Sequence, residues 1–144
     1  MDRPNNSDRR KAAEQLARYL ATDGEEGYLV DGREHLILTT TGRRSGEKQS
    51  TPLIFGTHEG RYLVVGSFAG RDESPNWYLN LVANPEVTVQ VKDDRFVAAA
   101  RTAPAAERPG LWARMCEVYP TYADYQKMTD REIPVIILER QILR

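Results

Sequence analysis

The sequence has few of the residues that usually carry metal, thiol or acid-base chemistry. Its 144 residues include one cysteine, Cys116, and two histidines, His35 and His58. One cysteine excludes an internal disulfide, and these three residues cannot build a zinc site of three or four nitrogen and sulfur ligands. His35 lies in an apolar strand pattern, and we interpret it as a structural residue. We therefore expect no metal site and no hydrolytic triad.

The sequence also lacks an excess of charge and any long apolar run. Twenty basic and twenty-one acidic side chains leave a net charge of −1. A non-specific nucleic-acid binder needs a broad basic field, so that class is excluded. No stretch approaches the eighteen or so apolar residues of a membrane span, and the first residues lack the apolar core of a signal peptide. We expect a soluble, cytoplasmic protein.

The length predicts one domain over residues 1–144, because about 140 residues can bury about two-thirds of their surface around a single core. Residues 1–6 are polar, and we expect them to be disordered. Residues 7–21 have an apolar stripe at helical spacing and predict an amphipathic helix. Its basic face would suit the inner, anionic surface of a membrane, but packing on the domain explains the pattern equally simply, and we favour packing. The stripe consists of Ala13, Leu16, Ala17 and Leu20.

About six short apolar segments between residues 34 and 139 predict antiparallel strands. H-L-I-L-T-T-T, S-T-P-L-I-F-G-T and R-Y-L-V-V-G-S-F read as a three-stranded meander, joined at 42–46 and 57–60. V-T-V-Q-V and F-V-A-A-A-R-T form a second hairpin with a turn at 93–95, and I-P-V-I-I-L closes the chain. Helices are predicted at 76–83 and from Pro104. The pattern predicts an α+β fold, mainly β, arranged as a small barrel or folded-over sheet.

Two loops have the features of ligand-binding segments. T-T-T-G-R-R-S-G places Arg43, Arg44 and Ser45 between two glycines, which suits an anion cradle, although a plain hairpin turn explains the spacing equally well. The second loop, 66–78, leads from a strand into a helix whose first N–H groups, near Asn76 and Trp77, can hold an anionic or carbonyl-rich group. The alternative is an ordinary connection in which the tryptophan is a core anchor.

Three tyrosines follow at a spacing of three. Tyr119, Tyr122 and Tyr125 would share one helical face if the helix included all three, and Pro120 indicates that it starts only after the first. A core stripe is more often Leu, Ile or Val, because each buried hydroxyl needs a partner. We therefore favour a pocket wall that stacks on a planar ligand and donates hydrogen bonds to it.

Five segments taken together resemble the deazaflavin-dependent nitroreductase family, whose members use coenzyme F-420. The resemblance runs in order from Leu36 to Leu138 and implies a split β-barrel of the flavin-reductase type. The segments are T-T-T-G-R-R-S-G, T-P-L-I-F, S-P-N-W-Y-L-N-L-V-A-N-P, V-Y-P-T-Y-A-D-Y-Q and T-D-R-E-I-P-V.

The resemblance also implies a cofactor site. The cofactor's phosphodiester and glutamate tail is expected at Arg43, Arg44, Ser45, Lys48 and Gln49, and its ring and ribityl chain along Pro52, Gly66, Ser67, Asn76 and Trp77. The three tyrosines fall on the substrate side of the ring. Family members often have basic residues where this chain has Gln49 and Phe68, and Arg71 and Lys48 are the candidates to compensate.

The implied activity is hydride transfer from reduced coenzyme F-420 to an electron-poor acceptor such as a quinone, enone or nitroaromatic compound. The cofactor carries the chemistry, and Tyr119, Tyr122, Tyr125 and Ser67 are the candidate catalytic residues that hydrogen-bond or protonate the acceptor. Two alternatives stay open: a deazaflavin carrier without turnover, and a reductase that uses FMN. A homodimer and peripheral membrane contact through the N-terminal helix are further expectations.

Overall fold

The computed structural model describes residues 6–142, which contain four α-helices, one short 3-10 helix and eight strands. The helices are α1 (Asn6–Thr22), α2 (Asn76–Ala83), α3 (Arg108–Val118) and α4 (Thr121–Lys127), and the 3-10 helix is Phe68–Gly70. The strands are β1 (Leu29–Val30), β2 (Arg33–Thr41), β3 (Lys48–Ile54), β4 (Gly56–His58), β5 (Arg61–Val65), β6 (Glu86–Val91), β7 (Asp94–Thr102) and β8 (Val135–Arg140).

The strands form one antiparallel sheet that curls into a half-barrel. Its order is β1-β2-β6-β7-β8-β5-β4, and β3 pairs with β2. Strands β3 and β4 are separated by Phe55 alone, yet β3 pairs with β2 whereas β4 pairs with β5. One continuous segment, 48–58, therefore pairs with β2 near one end of the strand order and with β5 near the other. This arrangement confirms the expected mainly β, split-barrel fold.

The period-two pattern of the central strands explains how the sheet is covered on both sides. Val64 of β5 and Ile136 of β8 belong to the cluster inside the curl, with Phe55, Leu81 and Val89. Their neighbours Leu63, Val65, Val135 and Ile137 point the other way, into a second cluster with Leu111 and Met115 of α3 and Tyr122 of α4. Strands β5 and β8 are thus buried on both faces, and α3 and α4 are fixed outside the barrel.

The predicted elements agree with the structure except at several ends. The helix predicted at 76–83 matches α2 residue for residue. The second hairpin turns at Lys92–Asp93 instead of 93–95, because Lys92 adopts a left-handed conformation with φ of 57°. The third predicted strand ends at Val65, and α3 begins at Arg108, after a turn that follows Pro104. The structure has eight strands where the sequence predicts about six, because the two additional strands, β1 and β4, are very short.

The N-terminal helix packs on the domain through a residue outside the predicted stripe. Tyr19 is fully buried, whereas Leu20 is 44% exposed and Ala13 and Ala17 are exposed. α1 lies against β3. Residues 1–6 are predicted to be disordered. Residues 1–5 lie outside the described residues, and Asn6 is the first residue of α1. Among the described helices none is long and apolar enough to cross a membrane.

Tyr19 attaches α1 to the barrel through its hydroxyl. The phenol oxygen accepts a hydrogen bond from the Lys92 backbone N–H at 2.8 Å and lies 3.0 Å from the His35 carbonyl oxygen, to which it donates. Tyr19→Phe removes a buried hydroxyl and leaves the Lys92 N–H and the His35 carbonyl without that partner, so we expect the free energy of unfolding to fall by about 1–3 kcal/mol in urea titration. Tyr62→Phe is the control, because no hydrogen bond joins its hydroxyl to a described residue, and should change stability by less than about 0.5 kcal/mol. Equal losses would contradict this role for the Tyr19 hydroxyl.

Candidate functional site

The loop between β2 and β3 is held in a tight turn that presents two arginines. The Gly42 N–H donates to the Glu47 carbonyl at 2.8 Å, and the Gly46 N–H donates to the Gly42 carbonyl at 2.9 Å. A Cβ on Gly42 would lie 2.6 Å from the Ser45 Oγ, so a side chain at this position would displace the Ser45 hydroxyl. Arg43 and Arg44 are both exposed, and neither forms a salt bridge within residues 6–142. The loop therefore offers two unneutralised cations.

Asn80, in the middle of α2, holds this loop in place. Its side chain is 2% exposed and uses its full hydrogen-bonding capacity. The Oδ1 accepts from the Arg43 backbone N–H at 3.1 Å and from Arg43 Nη1 at 2.9 Å. The Nδ2 donates to Gln49 Oε1 at 3.1 Å and to Thr40 Oγ1 at 3.3 Å. One amide thus ties α2 to β2, to β3 and to the arginine loop.

Three adjoining cavities run from this loop across the sheet. The first, the arginine cavity, has a volume of about 230 Å³, and the second, the central cavity, about 470 Å³; they share Gln49 and Asn76. The third, the tyrosine cavity, has a volume of about 300 Å³ and shares Phe68, Pro75 and Trp77 with the central one. We call the three together the groove. Its shared walls make it one elongated binding surface with cations at one end and phenols at the other.

The tyrosine cavity brings together the residues predicted as catalytic. Tyr119 directly follows α3 as its C-cap residue, whereas Tyr122 and Tyr125 lie on α4. The tyrosine wall is therefore built from the end of one helix and from the next, and the second helix starts only after Tyr119, as Pro120 indicated. The Tyr119 ring meets that of Tyr122 edge to face at 5.0 Å between centroids, and that of Tyr125 at 6.4 Å. Pro52, Ser67 and Trp77 complete the lining from the other side, with His35, Leu53, Ile54, Val65, Phe68, Ala69 and Pro75.

Burial raises the pKa of two of these three phenols. It raises the pKa of Tyr122 above its usual value, and the neighbouring Tyr119 and Tyr125 add to the effect. Burial also raises the pKa of Tyr125 to about 12, together with the hydrogen bond that the Tyr125 hydroxyl donates to Tyr119. Both side chains therefore stay protonated throughout the physiological range and act as hydrogen-bond donors. This is the chemistry required beside an oxygen that gains negative charge.

A half-buried arginine shapes the loop that carries Ser67. Arg131 donates to three backbone carbonyls of that loop: Gly66 at 3.2 Å, Ser67 at 2.9 Å and Arg71 at 2.8 Å. The loop needs this support because Phe68 and Ala69 both have left-handed backbones, with φ of 46° and 54°, which cost about 1–3 kcal/mol each. Arg131 thus fixes the position of the Ser67 and Phe68 side chains at the groove.

Two predicted cofactor residues do not line the groove. Gly66 is not among the lining residues, and a Cβ there would lie 3.0 Å from Pro134 Cγ, so the backbone packs closely at this position; its assignment to the cofactor ring stays a prediction. Lys48 points elsewhere, and its Nζ donates to Thr41 Oγ1 at 2.8 Å. Arg71 is also turned away, since it pairs with Glu73 and stacks on the Phe68 ring. The assignment of Lys48 to the cofactor tail stays a prediction.

Four residues of the site were not predicted from the sequence. Asn80 and Arg131 stand inside the quoted family segments, but only long-range contacts show that they position other groups. Arg9 of α1 lines the central cavity, and nothing in its sequence context indicates this. His35, interpreted as structural, lies on the tyrosine cavity. Its Nδ1 is 2.9 Å from the Arg33 carbonyl, which only accepts, so Nδ1 carries the proton and Nε2 is left as an acceptor.

The donor set of the groove fits a long, anionic, partly aromatic ligand such as a deazaflavin cofactor. Arg43, Arg44 and Ser45 can hold acidic groups, while Trp77 and the tyrosines present aromatic surfaces. No group of three or more His, Cys, Asp or Glu side chains within residues 6–142 can hold a metal ion. What the described site offers is therefore binding, orientation and hydrogen-bond donation.

Asn80→Leu tests the amide that holds the arginine loop. The substitution removes four hydrogen bonds and leaves the buried Thr40 hydroxyl without its donor, so the free energy of unfolding should fall by about 1–3 kcal/mol in urea titration. Asn84→Ala is the control, because Asn84 is exposed and its side chain forms no hydrogen bond with a described residue; it should change stability by less than about 0.5 kcal/mol. Similar values for the two variants would refute the role given to Asn80.

His35 should make stability depend on pH. Burial lowers the pKa of His35 below its usual 6.5, against the opposing effect of its backbone hydrogen bonds. Below about pH 6.5 the unfolded chain then binds more protons than the folded chain, so the free energy of unfolding should fall as the pH drops from about 7.5 to 5.5. His35→Gln should reduce that slope in urea titrations, while the control His58→Gln, at the exposed end of β4, keeps it. An unchanged slope in His35→Gln would contradict the neutral, buried state.

Comparison with known proteins identifies the family. A family model described as F-420H(2)-dependent quinone reductase matches residues 11–140. A putative F-420H(2)-dependent quinone reductase of Mycobacterium tuberculosis is 39% identical over 103 residues, which are 72% of this chain and 87% of that protein. A second F-420H(2)-dependent quinone reductase of the same species is 34% identical over 129 residues, 85% of each chain.

Two solved structures agree with this result. An F-420-H2-dependent reductase, FDR-A, is 42% identical with a TM-score of 0.68, and the match covers 73% of this chain and 93% of its own. A structure described as a domain-swapped dimer is 38% identical with a TM-score of 0.72, covering 94% of this chain and 100% of its own. The chain therefore belongs to the F-420H(2)-dependent quinone reductase family.

Proposed function

We propose that this protein reduces quinones with reduced coenzyme F-420 as hydride donor. The observation that carries the proposal is the groove itself, in which unneutralised arginines and a wall of neutral tyrosines stand at opposite ends of adjoining cavities. Such a surface suits a cofactor with an acidic tail and an aromatic ring, together with an acceptor that takes up negative charge. The family to which the chain belongs supports the same cofactor and acceptor.

The arginine loop would bind the tail. Arg43 is oriented by Asn80 and also reaches Asn76 Oδ1 at 3.4 Å, so its guanidinium is held in place before any ligand arrives. Preorganisation of this kind reduces the entropy lost on binding. Arg44 and Ser45 complete the donor set, and Gln49 closes the cavity from β3.

The aromatic part of the groove would hold the ring. Pro52, Trp77 and Phe68 provide flat apolar surface, and Ser67 adds a hydroxyl from the loop that Arg131 supports. When bound, the reduced deazaflavin supplies a hydride from its ring carbon. The protein's part is to hold ring and acceptor face to face and to exclude water from between them.

The tyrosines would act on the acceptor. A quinone that receives a hydride becomes a hydroquinone anion and needs one proton to become the hydroquinone. Tyr122 and Tyr125 are neutral donors because burial raises the pKa of each, so they hydrogen-bond the oxygen that gains charge, and Tyr119 or Ser67 can do the same. Enones and nitroaromatic compounds develop charge on oxygen in the same way and are further acceptors under this proposal.

The proposal is tested by mixing the purified protein with reduced coenzyme F-420 and menadione and following the cofactor's visible absorption band. We expect reoxidation that requires both protein and acceptor and that saturates with quinone. Arg43→Gln should raise the KM for the reduced cofactor about tenfold, because a charge-assisted contact to the tail is lost. Arg101→Gln is the matched control. Arg101 lies on β7, away from the groove, and pairs with Glu107, so this variant should leave KM unchanged.

Each alternative has its own outcome in the same experiment. Binding of the reduced cofactor without reoxidation by any quinone, enone or nitroaromatic compound would select a carrier and overturn the reductase. Tighter quenching of FMN fluorescence than of deazaflavin fluorescence would select an FMN enzyme. We consider FMN the weaker candidate because its single terminal phosphate does not use the whole arginine loop.

Three expectations about location and partners stay predictions. They are a cytoplasmic location, a homodimer, and peripheral contact of α1 with the inner face of the plasma membrane. The exposed first turns of α1, which carry Arg9, Arg10 and Lys11, support the membrane contact. The similar structure described as a domain-swapped dimer supports the predicted homodimer.

A further inference from the structure

Helix α1 reaches the groove through a single described side chain, Arg9. This arginine lines the central cavity together with Gln49, Ser50 and Thr51 of β3 and with Phe68, Pro75, Asn76 and Trp77 of the opposite wall. α1 packs along β3, and the Tyr19 hydroxyl attaches its last turns to the barrel. The barrel thus anchors the last turns of α1, and the exposed first turns bring Arg9 to the groove.

Arg9 is the only charged side chain on the described lining of the central cavity. Gln49, Ser50, Thr51 and Asn76 are polar but neutral. Other arginines of the chain have carboxylate partners, such as Arg95 with Asp23 and Arg140 with Asp94. Arg9 forms no hydrogen bond or salt bridge within residues 6–142. A cation without a partner on the wall of a cavity favours an anion inside it.

The position of the central cavity between the other two indicates which anionic group Arg9 would bind. The arginine cavity lies on one side and the tyrosine cavity on the other, so any ligand that spans both must pass through it. A cofactor whose ring is at the tyrosines and whose acidic end is at Arg43 and Arg44 has its linking phosphodiester between them. A guanidinium is well suited to a phosphate oxygen, because its planar fork can donate two parallel hydrogen bonds.

We propose that Arg9 binds the phosphodiester of coenzyme F-420, which makes α1 part of the cofactor site. The proposal rests on the proposed function for the identity of the cofactor. It separates the tail into two parts: the phosphate is recognised by the N-terminal helix, and the glutamate end by the loop between β2 and β3. It also predicts that cofactor binding fixes the first turns of α1, which are exposed at residues 8–14.

The experiment compares two ligands and two variants by quenching of deazaflavin fluorescence. The ligands are coenzyme F-420 and its tail-less chromophore, 7,8-didemethyl-8-hydroxy-5-deazariboflavin, which has the same ring and no phosphate. Arg9→Gln should weaken binding of coenzyme F-420 at least about fivefold and leave binding of the chromophore unchanged. Arg10→Gln is the matched control, because Arg10 is an exposed neighbour with the same charge that does not line the groove, and it should bind both ligands as the unmodified protein does.

Charge and salt provide a second readout. Arg9→Lys keeps the charge and should recover part of the lost affinity, and the affinity of Arg9→Gln for coenzyme F-420 should depend less steeply on salt concentration. Equal weakening of both ligands in Arg9→Gln, or no weakening of either, overturns the proposal. If the unmodified protein binds the chromophore but not coenzyme F-420, the proposal and the proposed function both fail. Binding of coenzyme F-420 that is the same in Arg9→Gln as in the unmodified protein removes only the role of Arg9.

Discussion

The side-chain amide of Asn80 is the interaction on which the arrangement of the site depends. It is buried in α2, accepts two hydrogen bonds from Arg43 and donates to Thr40 and Gln49. A buried amide with all its partners is stabilising, whereas one that loses them is costly, so the four contacts form or fail together. The arginine loop is exposed and would otherwise be free to move. Asn80 makes it a fixed part of a rigid helix and sheet, and thereby sets the distance between the cations and the aromatic walls.

The other walls of the groove are fixed by equally specific contacts. Segment 48–58 pairs first with β2 and then, after the buried Phe55, with β5. This double pairing places Pro52 opposite the tyrosines. Arg131 holds three carbonyls of the loop that carries Ser67, so that two left-handed residues are tolerated at the groove. The strain of the loop and the half-buried charge are located at the site, as is usual where a fold serves binding.

Local patterns were sufficient for most of the fold. Pro75 and the Asn84-Pro85 pair bracket α2, and apolar alternation identifies the main strands. The sequence could not show that one predicted strand, 50–57, pairs with two different partners, because pairing depends on distant residues. It also could not reveal the roles of Asn80 and Arg131, whose hydrogen-bond partners are far away along the chain, or the place of Arg9 on a cavity lined by distant residues. The arginine loop and the tyrosines are predictable from the sequence because their residue types indicate ligand chemistry even without geometry.

The scarcity of histidine, cysteine and metal ligands agrees with a protein that orients a cofactor and stabilises charge on its acceptor. The central claim is that the three cavities together hold one molecule of reduced coenzyme F-420. The crystal structure of that complex tests the claim most directly. The account predicts the glutamate tail within hydrogen-bonding distance of the arginine loop and the deazaflavin ring between Trp77 and the tyrosine wall. A ring bound outside the tyrosine cavity, or a tail directed away from Arg43 and Arg44, would contradict it.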